Sequence, residues 1–306
     1  MQCSINPKHK VFRWGKQAGR QIYYCKDCKK RINPSGSFKW VHYPIGRIAE
    51  ALTLYYNGMS FSGISNTFKE LHNLPLSKST LWQWVIRYTL QAGAYINTLK
   101  PQVGDEWYAD ETVIDIGKEK WWYWDIIDEH TRYLLATHLS RTRGIEKAKK
   151  VLKMAKARAG KTPLMIRTDV LEDYFKAIQS VFGFKVIHSV SKGFSSSSNI
   201  NLIERFHGSI KQRTKVIRDF KSPETASIIL DGFVAHYNFV KPHRTLKGVT
   251  PAFIADIAQK VRGWEGLICS GEGKQLPALN LTYRTNPQQR NERSKDFHNL
   301  NLEDWK

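Results

Sequence analysis

The sequence predicts an α/β fold: a mixed sheet flanked by helices, preceded by a small cysteine-bearing segment and a helical trio. Three observations point to it. Cysteines gather at the start, the stretch to about residue 100 has helical periodicity, and from residue 106 short β-type runs alternate with helices. These shifts divide the chain at 1–43, 44–100, 101–260 and 261–306, in keeping with roughly 100–200 residues per domain.

Three of the four cysteines, Cys3, Cys25 and Cys28, fall in the first thirty residues, a distribution that suits a metal better than a disulfide framework. Cys25-Lys-Asp-Cys28 has zinc-knuckle spacing, and "FRWGKQAGRQIYY" before it reads as a short basic hairpin. Asn6 stands where a second CxxC would be completed, so the nearest fourth ligand is His9. Cys3, His9, Cys25 and Cys28 make a chemically reasonable zinc-ribbon-like site. The alternative is three reduced cysteines beside a basic arm. Cys269 stands alone and reads as structural.

Ile48, Ala51, Leu52 and Tyr55 recur at helix spacing until Asn57-Gly58 stops the run. A second helix is expected from Ser60 or Phe61 to about Leu71. A third, "KSTLWQWVIRYTLQ", follows the N-cap Ser77. Such a trio fits a DNA-reading helix-turn-helix, and equally a plain structural role.

Next, "EWYADETVIDI" (106–116), "KWWYWDIID" (120–128) and "RYLLATHL" (132–139) are rich in aromatic and β-branched residues. Gly117-Lys118-Glu119 and Glu129-His130-Thr131 separate them, so they read as three antiparallel strands. A helix ending at Gly160 follows, then a strand at 163–169, the helix "EDYFKAIQSVF", a strand at 184–190 and, after a serine run, a long helix. The order β-β-β-α-β-α-β-α is that of a ribonuclease-H-like fold. Past about residue 262 the chain is polar and reads as a tail.

With 48 Lys+Arg against 27 Asp+Glu, the formal net charge is +21, which points to a polyanionic partner. No apolar run approaches the roughly 20 residues of a membrane span, and the N-terminus lacks a signal-peptide core. A cytoplasmic, nucleoid-associated protein is expected, with no membrane partner.

Against this basic background three acids stand out by position. Asp110 lies inside the first core strand, Asp169 ends the fourth, and Glu204 opens the long helix. Together they could hold two Mg²⁺ or Mn²⁺ ions about 3.5–4 Å apart. Each also has a plain reading, as a solvated, capping or ion-paired acid. Lys211 and Lys215 fall on nearly the same helix face as Glu204, and His207 lies one turn away. With Arg213, they are candidate phosphate contacts. Leu202, Phe206, Ile210 and Ile217 form the apolar stripe.

The strings "WYADET", "IRTDVLEDY", "NLIERFHGSIKQRTKVIRDF" and "AHYNFVKPHRTLKGVTP" carry a resemblance. Over roughly residues 45–255 the chain resembles prokaryotic insertion-sequence transposases of the DDE class, particularly the insertion sequence six family. The cores of that family are similar to retroviral integrases. The 34 residues between Asp169 and Glu204 (204 − 169 − 1) match its preferred separation. The resemblance implies a catalytic triad of Asp110, Asp169 and Glu204, with Lys211 as the basic residue on the DNA end. It also implies a terminal-helix signature in Tyr237, Asn238, Pro242, His243 and Arg244, serving packing and, at Arg244, DNA contact.

Two departures are Val170, where the family usually has glycine, and the incomplete first zinc knuckle at Asn6. The activity implied is binding of an element's terminal inverted repeats, metal-dependent strand cleavage and transfer into target duplex DNA, by a homo-oligomer. The rivals are a DNA-binding protein that has lost catalysis and a nuclease that cuts without joining.

Overall fold

A computed structural model of the chain describes residues 9–17, 20–27, 30–32, 43–190, 201–217, 220–257 and 261–271. Two compact units meet at Pro44 and Ile45. The first contains the antiparallel strands β1 (Val11–Gln17), β2 (Arg20–Cys25) and β3 (Lys30–Ile32). The basic hairpin expected there is therefore present. Its register shifts between Arg13 and Gly15, leaving Trp14 as the extra residue of a bulge, where Trp14 stacks on Tyr24 at 4.8 Å between ring centroids.

In the second unit β4 (Glu106–Ile116), β5 (Glu119–Asp128), β6 (Leu134–Ser140), β7 (Met165–Thr168) and β8 (Ile187–Val190) form one mixed sheet in the order β6-β5-β4-β7-β8. β4, β5 and β6 pair antiparallel through short turns, whereas β4, β7 and β8 pair parallel. Parallel neighbours need crossover connections. α4 (Ile145–Ala159) and α5 (Glu172–Phe182) supply them, packing on each other and, through α4, on β5 and β6. α6 (Asn201–Ile217) lies on β4 and α7 (Pro223–Phe239) on β6. This is the element order and the mixed, helix-flanked sheet that the sequence predicts.

The β4–β5 turn has two residues rather than three. Gly117 and Lys118 both take positive φ (57° and 68°), the signature of a type I′ hairpin, and Ile116 pairs with Glu119. β6 starts at Leu134 rather than Arg132, because Arg132 adopts a left-handed φ of 61°. Ahead of it, Asp128 closes the turn by accepting from the Thr131 amide and hydroxyl, each at 2.7 Å. Likewise β8 starts at Ile187, after a 3-10 turn at Gly183–Lys185.

The buried amide of Asn238 brackets the edge strand β6, its Oδ1 accepting from Leu134 N (2.9 Å) and its Nδ2 donating to Leu134 O (3.1 Å). The Tyr237 ring meets His243 edge-on at 4.4 Å. These members of the terminal-helix signature hold α7 to the sheet and to the loop that follows.

α1 (Ile45–Tyr56), α2 (Phe61–His72) and α3 (Lys78–Ile96) appear where helical spacing puts them. Ser60 and Ser77 cap α2 and α3 by accepting from Gly63 N and Thr80 N. After the one-turn helix α8 (Pro251–Ile254) comes α9 (Gly263–Ser270), and α3 packs on α7 and on α9, so its second half is interior to the unit. α9 itself falls where a polar tail was expected from residue 261. "GWEGLIC" buries Trp264, Leu267 and Ile268 in a helix too short for clear periodicity.

The packing of α7 against α1, α3 and α9 generates two predictions. Tyr56 Oη meets Thr89 Oγ1 at 2.6 Å beside Gly232, where an added Cβ would lie 1.9 Å from that oxygen. A helix-interior glycine replaced by alanine ordinarily gains about 1 kcal/mol. Here overpacking, about 1–3 kcal/mol or more, wins, so Gly232→Ala lowers the thermal midpoint.

The second prediction concerns His236, whose Nδ1 accepts from Trp264 Nε1 at 3.2 Å. Burial first, then Lys241 and His243, push its pKa down to about 3. The stability this neutral ring contributes is complete above the unfolded value near 6.5 and is lost as pH falls towards the folded value. Between pH 6.5 and 5 that loss is on the order of 2 kcal/mol. In urea titrations His236→Gln is less stable at pH 7 and loses less than wild type on acidification.

Candidate active site

β4 pairs with β7 only as far as Tyr108, opposite Arg167, and β7 ends at Thr168. From Ala109 onward that edge of β4 has no β7 partner. Asp110 and Glu111 point to opposite faces by strand alternation, yet both reach the gap that Asp169 enters from the end of β7. One carboxylate oxygen from each of Asp110, Glu111 and Asp169 lies within 4.8 Å of the other two.

Glu111 is the anchored member, its side chain 2% exposed. Tyr174 Oη donates to it at 2.8 Å, and Arg143 donates through Nε at 2.8 Å and again through Nη2. Arg143 also lies over the Trp122 ring at 4.7 Å and reaches Asp169 at 3.9 Å. Asp169 is more open. Its Oδ1 accepts from Leu171 N at 3.0 Å, closing a short turn, while its Oδ2 is the oxygen that faces Arg143. Val170, in the family's usual glycine position, is exposed and is not among the described residues with positive φ, so the loop takes a side chain there without left-handed strain.

On the opposite face of β4, Asp110 is backed by a buried pair. Hairpin register puts Asp125 directly across from it. Asp125 is fully buried, and His207 Nε2 donates to its Oδ2 at 2.6 Å while His207 Nδ1 faces Asp110 Oδ2 at 3.5 Å. Burial, with Asp125 repulsion and against the pull of His207, pushes the Asp110 pKa up to about 7. Burial raises Glu111 too, against Tyr174 and Arg143. Burial opposes protonation of His207, but Asp125 and then Asp110 outweigh it, so its pKa is raised. Three crowded acids, two of them reluctant to ionise without a cation, form an all-oxygen donor set that suits a hard divalent ion such as Mg²⁺ or Mn²⁺.

Glu204 occupies the first turn of α6, exposed, one turn from His207 and outside the 4.8 Å cluster. Lys211 and Lys215 continue its exposed face, and Arg244 is exposed on a 3-10 turn. His207 and Arg213, read from sequence as phosphate contacts, are instead interior, at 6% and 5% exposure. α6 turns them towards the protein, where His207 is occupied by the two aspartates. Asp125, Arg143 and Tyr174 went unnoticed in the sequence. The signal for Asp125 was an acid directly after an aromatic run, placed opposite Asp110 once the turn is counted as two residues.

In the first unit, His9, Cys25 and Asp27 each offer a ligand atom within 4.8 Å of the others. The remaining zinc candidates, Cys3 and Cys28, lie outside the described residues.

Residues 104–243 match a family described as a DDE domain, and the DDE-class, insertion sequence six type resemblance of the sequence holds. None of the curated proteins matches the chain. Among solved structures, the chain is similar to the HTLV-2 integrase catalytic core domain in complex with magnesium (trimeric form). That match has 18% identity and a TM-score of 0.39, covering 51% of this chain and 98% of that one. The catalytic core domain of BIV integrase matches at 13% identity and TM-score 0.36, covering 50% and 93%. A simian T-cell lymphotropic virus intasome in complex with PP2A regulatory subunit B56 gamma matches at 14% and 0.35, covering 61% and 68%.

The Asp125–His207 pair yields a stability prediction. Removing one partner leaves a buried charge unpaired, which costs about 3–5 kcal/mol. His207→Ala is destabilised by about that much at pH 7, and adding Asp125→Asn recovers part of the loss. Urea unfolding of both variants measures the coupling.

Proposed function

We propose that the protein is a DDE transposase that binds the terminal inverted repeats of an insertion sequence and catalyses metal-dependent strand cleavage and strand transfer. The observation that carries this reading is the meeting of Asp110, Glu111 and Asp169 oxygens inside the DDE domain. Asp110 and Asp169 would hold Mg²⁺ or Mn²⁺ from two sides, with Glu204 completing the set from the first turn of α6. Two such ions, when bound, supply activation of an attacking oxygen and neutralisation of charge at the phosphate.

The protein's own residues do the rest. The Arg143–Tyr174 clamp fixes Glu111 and with it the end of β7, and the buried Asp125–His207 pair fixes Asp110. Lys211, Lys215 and Arg244, all exposed, hold the DNA backbone and set the phosphodiester in line. The helices α1 to α3 and the N-terminal sheet, the latter with a zinc ion at Cys3, His9, Cys25 and Cys28, supply the grip on the repeats. A homo-oligomer brings two ends together in the nucleoid. The rival, a DNA-binding protein without catalysis, rests on Val170 at the loop beside Asp169.

The test is a labelled duplex of the element's end with Mg²⁺ or Mn²⁺. Wild type nicks and joins it, while Asp169→Asn and Glu204→Gln bind it equally and lose about a hundredfold or more of the cleavage rate. If wild type binds but leaves the DNA intact with either metal, the rival reading takes its place.

A further inference from the structure

Arg213 is buried on the far side of α6 from Glu204, and no carboxylate among the described residues pairs with it. Its guanidinium carbon sits 3.7 Å over the Tyr55 ring. Nη1 reaches the Met59 carbonyl only at 3.5 Å, the limit of a hydrogen bond. Nε is buried without any partner. Cation–π contact with Tyr55 compensates part of the lost hydration, but it leaves Nε unsatisfied and Nη1 with only a long hydrogen bond. A buried cation lacking an acid is costly and calls for an explanation.

Beside it lies an open cavity of about 90 Å³ between the end of α1, α6 and α7. Such a space holds several waters or one tetrahedral oxyanion. The lining supplies a second cation, Lys241, and the side-chain amides of Gln212 and Asn57, and among the described residues it contains no Asp or Glu. His236, which also borders the cavity, is committed elsewhere, with Nε2 towards Asn57 Oδ1 at 3.2 Å and Nδ1 accepting from Trp264. The Asn57 oxygen is thereby turned to the histidine, leaving its amide nitrogen for another acceptor.

We propose that this cavity is an anion site for a phosphate group, held by the Arg213 fork and the Lys241 ammonium. Planar guanidinium donors match two oxygens of a tetrahedral anion, and Lys241 adds a mobile charge at the mouth. The site lies apart from the carboxylate cluster and needs no metal, so it stands or falls separately from the transposase reading. The phosphate is either part of a DNA backbone or a free anion.

The full chain, without divalent metal, is titrated with inorganic phosphate against chloride at equal ionic strength while its melting temperature is followed. A saturable rise is expected in wild type. In Lys241→Gln, a change at an exposed position, and in Arg213→Met, the midpoint shifts at least tenfold to higher phosphate. If Arg213→Met does not fold, Lys241→Gln and Gln212→Ala still give the comparison.

Duplex binding measured over a salt series then separates the sources. A slope reduced by about one in Lys241→Gln assigns the phosphate to DNA. An unchanged slope with the phosphate effect retained assigns it to a free anion. The proposal is overturned if phosphate stabilises wild type no more than chloride does, or if the variants titrate like wild type.

Discussion

The two-residue turn at Gly117-Lys118 fixes how β4 lies against β5, and the carboxylate cluster inherits its geometry from that pairing. With Ile116 opposite Glu119, Asp110 falls opposite Asp125, and both project to the face on which α6 packs. His207 can then bridge them. A turn longer by one residue would set Asp110 against Ile126 and send Asp125 to the α4 and α5 side, since one step of register exchanges the faces of a strand. The left-handed conformation at Lys118 is a small local cost beside the buried hydrogen bonds it makes possible.

α6 works on both sides. Its inner face carries Ile203, Phe206, His207, Ile210 and Arg213 into the protein, so apolar packing and two polar commitments share one stripe. Its outer face presents Glu204, Lys211 and Lys215. Alternation at 3.6 residues per turn thus separates groups that hold the site in shape from groups left for solvent, metal or phosphate. The sheet divides labour in the same way: Asp110 is set by the α6 side, Glu111 by Arg143 and Tyr174 on the α4 and α5 side, and Asp169 is the comparatively free member.

Much of this was legible in the sequence because the signals were local. The three strands, the helix "EDYFKAIQSVF" and the cap at Ser77 follow from period and turn chemistry and fall within a few residues of their observed bounds. Asp110 and Asp169 could be paired because the end of a neighbouring strand can lie beside the interior of a central one.

What stayed hidden depended on tertiary partners. A basic residue on a basic helix looks solvent-facing until the packing of α6 is known, which is why the burial of His207 and Arg213 was not foreseen. α9 escaped because eight residues carry too little periodicity. Asp125 escaped because the turn was counted as three.

The crossing of α1 with α7 at Gly232 has a further consequence for geometry. Tyr56 lies so close to α7 that no side chain fits between them, and α3 and α9 close the same interior. The helical trio is therefore mortared to the mixed sheet rather than tethered to it. Should α1 to α3 grip a sequence as proposed, it would be held at a constant offset from Asp110, so the packing would act as a ruler: the spacing to the cluster would be set by side-chain volume, not by linker length.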